Sequence, residues 1–182
     1  LYLTWETTFE YMSDRGPRID RIFADVLTGD LVERVGIIKD ALSRKMYTAN
    51  NGTSLPGTLL FSEGGTSSDT TAVTAYNHAG TTYNYFKSKF NRDSFNNAGA
   101  VMTTSVHVGS NYVNAYWNGS QTAFGDGDGS QASSLAKDRD VVSHEWGHAV
   151  TDYTADMTYS NEPGALNEAY SDIWAASVSV YA

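Results

Sequence analysis

His144 and His148 are separated by one helical turn in the stretch Ser143-His144-Glu145-Trp146-Gly147-His148-Ala149. On a helix both imidazoles leave the same face, so two nitrogens can converge on one cation. Glu145 projects beside them, close enough to meet a water at that cation without ligating it. A divalent ion, a water and a neighbouring carboxylate base make a hydrolytic site. The histidine pair alone is a weak signal, because a helix with half-exposed imidazoles gives the same pattern. Glu168 sharpens it. Catalytic zinc takes three protein ligands and keeps a fourth position open, and the interval from His148 to Glu168 accommodates a helix end, a turn and a returning helix. Asp172, one turn beyond Glu168, can accept a hydrogen bond from the outer nitrogen of a ligating histidine and so fix its tautomer.

These residues need two helices to hold them. Val141, Val142, Trp146, Ala149 and Val150 recur at helical spacing and predict a helix from Ser134 or Lys137 to about Ala155. A second helix is expected from Asn161-Glu162-Pro163, with the proline tolerated in its first turn. Upstream, Ala72, Ala75, Tyr76, Ala79, Tyr83, Phe86 and Phe90 mark the buried face of a long helix capped by Ser67, Ser68 or Asp69, with Gly80 weakening it. Strands are expected at Val101 to Val108, Tyr112 to Trp117 and Gln121 to Phe124, the last two joined as a hairpin through Asn118-Gly119-Ser120. At the N-terminus, Leu1 to Trp5, Ile19 to Leu27 and Leu31 to Ile38 read as β-structure, with Thr28-Gly29-Asp30 as a turn. Lys39 to Gly57 reads as polar or turn-like. The fold class is therefore α+β.

The chain has 182 residues and a formal charge of −9, which disfavours nucleic acid as a partner. Residues 1–45 hold seven bases against eight acids, and residues 46–182 five against thirteen, so the two parts read as different units with a seam near residue 40. There is no cysteine, hence no disulfide or thiolate metal site. No run of about eighteen apolar residues offers a membrane span.

The segments Asp140-Val141-Val142, His144 to His148, Ala149 to Ala155, Tyr159, Asn161-Glu162 and Gly164 to Asp172 together resemble the thermolysin family of neutral zinc metallopeptidases, a gluzincin group. So do Asn114-Ala115-Tyr116-Trp117-Asn118-Gly119-Ser120-Gln121, the Gly125-Asp126-Gly127-Asp128-Gly129 loop, Ala79-Gly80-x-Thr82-Tyr83-x-Tyr85 and Leu55-Pro56-Gly57. The resemblance covers about residues 47–180, and its two-histidine, one-glutamate zinc set is the family's own. It implies a zincin-like β-rich lobe ending in two zinc-site helices, and an endopeptidase acting on extracellular proteins. His144, His148 and Glu168 would bind Zn2+, and Glu145 would serve as the base. Tyr159 would donate to the oxyanion. Asn114 and the Ala115 backbone would hold the peptide substrate as an added strand. Asp172 and Asn167 would orient His144 and His148 respectively. Leu135 and Val141 would line an apolar pocket for the side chain after the cleaved bond.

Asp140 matches a family Ca2+ carboxylate, but the next expected acid falls at Ser179, so only one hard ligand can be counted there. Where some relatives carry a second calcium site the chain reads Phe61-Ser62-Glu63-Gly64-Gly65. The Gly-Asp-Gly-Asp-Gly loop reads as a flexible acidic turn rather than a third. His78 and His107 receive no function. Residues 1–40 resemble the end of a propeptide, and residues 41–182 an N-terminal lobe that stops after the second site helix, without the family's C-terminal helical lobe. The expected partners are thus a peptide substrate, that lobe and the propeptide, in a secreted enzyme precursor. Two other readings stay open: a gluzincin aminopeptidase, and a non-catalytic zinc-binding fragment.

Overall fold

The computed structural model describes residues 3–13, 16–36 and 42–182. The expected strand ends at residues 1–2 and 37–38, and the exact seam near residue 40, lie outside the described residues.

Among the described residues, two sheets and three long helices make up the α+β architecture. Strands β1 (Thr4–Ser13), β2 (Gly16–Asp25) and β3 (Leu31–Gly36) form an antiparallel meander. Its second turn is closed by the Asp25 carboxylate, which accepts from the Leu27 and Thr28 N–H groups. Many of its apolar side chains, Trp5, Phe9, Leu31 and Val35 among them, are exposed.

A separate five-stranded sheet carries the rest. Its strands are β4 (Arg44–Thr48), β5 (Thr58–Ser62), β6 (Met102–Val106), β7 (Ala115–Trp117) and β8 (Thr122–Phe124), in the order β5-β4-β6-β8-β7. β4, β6 and β8 run parallel, and β5 and β7 are antiparallel edges. The sequence reading missed β4 and β5. Arg44-Lys45-Met46-Tyr47-Thr48 looks too charged for a central strand, yet only Met46 is fully enclosed and the Arg44 charge is matched within the fold. Its guanidinium meets Glu63 at 2.8 and 2.5 Å, donates to the Tyr76 carbonyl at 2.9 Å and lies over the Tyr76 ring. The expected strand from Tyr112 is shorter than read. Tyr112 and Asn114 spend their carbonyls on Gly127 and Gly125 of the following loop instead of on a regular ladder.

Helix α1 (Thr70–Phe90) lies across this sheet, capped by Asp69, which accepts from Ala72 N–H. Ala72, Ala75, Ala79, Tyr83 and Phe86 are buried as the periodicity requires, whereas Phe90 at the end is 55% exposed. Gly80 is the slot for Arg44, since a Cβ there would stand 2.2 Å from its Nη1. Helix α2 (Arg139–Asp152) follows a short 3-10 turn (Leu135–Lys137) and is capped by Asp138. It packs on α1 with a buried Thr82–Ser143 hydroxyl pair at 2.9 Å, and adds Val142 and Trp146 to the common core. Helix α3 (Asn161–Tyr181) folds back onto α2.

Candidate metal centre

The α2–α3 contact assembles the site. Gly147 faces the fully buried Ser171, so the two helices approach without a side chain between them. That closeness brings Glu168 of α3 to His144 and His148 of α2. The two Nε2 atoms are 2.9 Å apart, and Glu168 carboxylate oxygens lie 3.2 Å from His144 Nε2 and 3.6 Å from His148 Nε2. These are the only three or more metal-ligating side chains that converge among the described residues.

The outer nitrogens explain why the inner ones converge. His144 Nδ1 is 2.8 Å from Asp172 Oδ1, and His148 Nδ1 is 2.7 Å from Asn167 Oδ1 and 3.0 Å from Ser171 Oγ. Donation from both Nδ1–H groups leaves a lone pair on each Nε2, and two lone pairs facing each other repel unless a cation lies between them. A tetrahedral zinc with nitrogen and oxygen ligands at about 2.0–2.2 Å would space its donors about 3.3 Å apart. The three separations bracket that value, so the donor set fits the ion.

Glu145 is buried and stands outside the donor set, lining the same cleft. Burial pushes its carboxyl up to about 7 and Glu168 adds repulsion. The neighbouring His144 imidazole and the Trp117 backbone N–H pull it the other way. A cation bound beside it would lower that value further. The cleft encloses about 490 Å3, and Asn114, Ala115 and Tyr159 also line it. Tyr159 is 63% exposed, with its ring centroid 5.7 Å from that of His148. Asn114 is exposed, its amide donating to the Tyr112 hydroxyl.

Ala115 lies on the edge strand in a telling phase. Asn118 N–H donates to Gln121 and Gly125 N–H to the Asn114 carbonyl, which makes 118/121, 116/123 and 114/125 the bonded pairs. The Ala115 and Trp117 peptide groups therefore point to the open edge, toward the cleft.

Other residues fall elsewhere. Leu135 and Val141 pack against the hydrophobic core and are absent from the cleft lining. The Asp140 carboxylate accepts from Ser179, the position where the family pattern expects an acid. In the Gly-Asp-Gly-Asp-Gly loop, Asp126 binds His107 Nδ1 and Ser134 Oγ, and Asp128 accepts from the Ser130, Gln131 and Ala132 N–H groups. Both carboxylates are thus used within the fold. His107, given no function from sequence, bridges Asp126 to Asp69 at the start of α1. Sequence reasoning also missed Asp152, which lines the cleft and accepts from the Trp117 indole at 2.6 Å. Both sit in segments that carried the resemblance, but nothing in their spacing announces that they touch.

The family model for the thermolysin metallopeptidase catalytic domain matches residues 34–152, and that for the thermolysin metallopeptidase alpha-helical domain matches residues 155–182. The division falls between α2 and α3. Bacillolysin of Brevibacillus brevis is 52% identical over 132 residues, 72% of this chain and 25% of that protein. Protease PrtS of Photorhabdus sp. (strain Az29) is 39% identical over 156 residues, 84% of this chain and 42% of that protein. Among solved structures, the precursor of protealysin, a metalloproteinase from Serratia proteamaculans, superposes with a TM-score of 0.76 at 40% identity. That match covers 79% of this chain and 45% of that one. The chain spans under half the length of each of these.

Proposed function

Because this chain belongs to the thermolysin metallopeptidase family, we propose that it is part of a zinc endopeptidase that hydrolyses internal peptide bonds of extracellular proteins. One observation carries the proposal: two imidazole nitrogens and the Glu168 carboxylate converge, while the buried Glu145 stands beside them without joining the set. When bound by His144, His148 and Glu168, zinc supplies a Lewis acid that acidifies water and polarises the scissile carbonyl. Glu145 takes the proton of the attacking water and passes it to the leaving amine. Tyr159, beside His148, donates its phenol hydrogen to the oxyanion. The open edge of β7 receives the substrate as an added antiparallel strand, with the Ala115 peptide group and the Asn114 amide as its partners. Asp172 and Asn167 hold the histidine tautomers. Leu135 and Val141 are not carried into this proposal, because neither lines the cleft.

We further propose that residues 1 to about 40 are the end of a propeptide, supported by their separate sheet, the charge shift and the likeness to a precursor. Secretion follows from the family resemblance alone. Calcium at Asp140 is part of the same proposal, and would need further oxygen ligands beside that single carboxylate. The test uses the zinc-loaded full-length protein and internally quenched peptides blocked at both ends. Cleavage is expected, falling by about 10²–10⁴ in Glu145→Gln while zinc is retained. Cleavage confined to peptides with a free amino terminus, or an active Glu145→Gln variant, would overturn the proposal.

A further inference from the structure

Trp117 ends the edge strand β7 and connects three parts of the site. Its indole Nε1–H reaches across to Asp152, the last residue of α2, and donates to Oδ2 at 2.6 Å. Its ring packs on Phe95 and on Trp146, the neighbour of Glu145, with centroids 5.2 and 5.7 Å away. Its peptide group lies on the open edge, by the hydrogen-bond phase of the β7–β8 hairpin, in the cleft that Glu145 also lines. Among the described residues Asp152 has no lysine, arginine or histidine partner. Its carboxylate, partly buried in the cleft wall, takes the Trp117 indole as its partner.

β7 needs such a hold. It is three residues long, paired on one side only, and ends in the Asn118-Gly119-Ser120 turn. A short one-sided strand frays readily, and any shift of it displaces groups that face the reacting bond. The Asp152–indole bond ties its end to α2, the same rigid helix that carries His144, Glu145 and His148.

We infer that Asp152 is a positioning residue for hydrolysis at this site: by holding the Trp117 indole it fixes the open edge of β7, setting the Ala115 and Trp117 peptide groups beside Glu145 where the substrate strand pairs. The inference rests on the proposed endopeptidase reading. A merely structural Asp152 would affect folding but not kcat in protein that still folds and binds zinc.

The experiment uses the zinc-loaded full-length protein with the changes Asp152→Ala, Asp152→Asn and Trp117→Phe. Asp152→Ala and Trp117→Phe are each expected to lower kcat about tenfold or more, with smaller change in KM and unaltered zinc content. Asp152→Asn keeps an acceptor oxygen and should recover much of what alanine loses. The double variant should be no worse than either single change, because both remove one bond. Backbone hydrogen exchange over residues 115–117 should rise in Asp152→Ala while β8 stays protected. Wild-type kcat in a folded, zinc-bound Asp152→Ala variant, or losses that simply add in the double variant, would overturn the inference alone. A zinc-loaded wild type that cleaves no peptide would overturn the proposed function and this inference together.

Discussion

A Cβ built on Gly147 would stand 3.0 Å from the Cα of Ser171 and 3.3 Å from its Cβ and Oγ. The close crossing of α2 and α3 at this point sets the distance from the two histidines to Glu168. Replacing Gly147 by valine should therefore wedge the helices apart, lowering stability by about 2–3 kcal/mol and zinc affinity at least tenfold. Alanine should do less, since its tight contact is offset by about 1 kcal/mol of helix propensity. Urea unfolding and competition with a chelator measure the two effects. A valine variant that holds zinc as tightly as wild type would separate the crossing from the metal.

Asp172 and Asn167 hold the outer nitrogens of the two histidines from opposite environments, one exposed and one buried. Changing either to alanine should weaken zinc binding about 10–100-fold. The metal-free protein should respond differently. Asp172→Ala should leave its stability nearly unchanged, whereas Asn167→Ala leaves the buried His148 imidazole relying on Ser171 Oγ and should destabilise it by about 1–3 kcal/mol. Chelator titration and unfolding of the apo protein distinguish the two, and equal losses of apo stability would contradict the account.

Gly80 should resist the substitution that usually stabilises a helix. Alanine gains about 1 kcal/mol of propensity, but its Cβ would stand 2.2 Å from Arg44 Nη1. Expelling the guanidinium breaks the partly buried pair with Glu63, and losing one partner of such a pair costs about 3 kcal/mol. The loss wins, so Gly80→Ala should destabilise by about 2 kcal/mol net, measured by denaturant unfolding. Arg44→Met combined with Gly80→Ala should be less harmful than Gly80→Ala with Arg44 in place.

His107 makes stability depend on pH in a definite direction. Burial pushes its pKa down, but hydrogen bonds to Asp126 and Asp69 and their charges outweigh this, leaving it above the ordinary 6.5. A raised folded value means that the contribution is complete below about pH 6.5 and is lost as pH rises through the folded pKa. Asp69 adds the opposite limb. Burial raises its pKa, but the Ala72 N–H and His107 overcome that and hold it low. Its share is present above about pH 3.8 and lost as pH falls through the lowered value. Unfolding free energy should therefore decline from pH 6 toward pH 9, and His107→Asn should flatten that decline. Asparagine suits the test because His107 has φ +55°, which asparagine tolerates. An unchanged slope would exclude the bridge as its source.

Much of this molecule was legible because its signals are local. One turn of helix fixes that His144 and His148 share a face. The step from Glu168 to Asp172 repeats that relation on α3, and the alanines of α1 spell out its buried side. These depend only on helical periodicity, which a sequence carries within a few residues. The family resemblance added Tyr159, Asn114 and Asn167, whose partners no spacing could reveal.

What the tertiary structure decided are pairings between distant residues. β4 is a central strand because Glu63 and the Gly80 slot receive its arginine, a compensation spread over three elements. Leu135 and Val141 pack against the core because the 3-10 turn and α2 both lie on α1, and Asp126 is taken up by His107 rather than left as a loose acidic turn. The one-sided pairing of β7 exposes the Ala115 and Trp117 peptide groups, and Asp152 meets the Trp117 indole only once α2 is docked beside that edge. Periodicity assigns a side chain to a face of its own element. Which group stands opposite is settled only when the elements pack, by volume, charge and unsatisfied hydrogen bonds together.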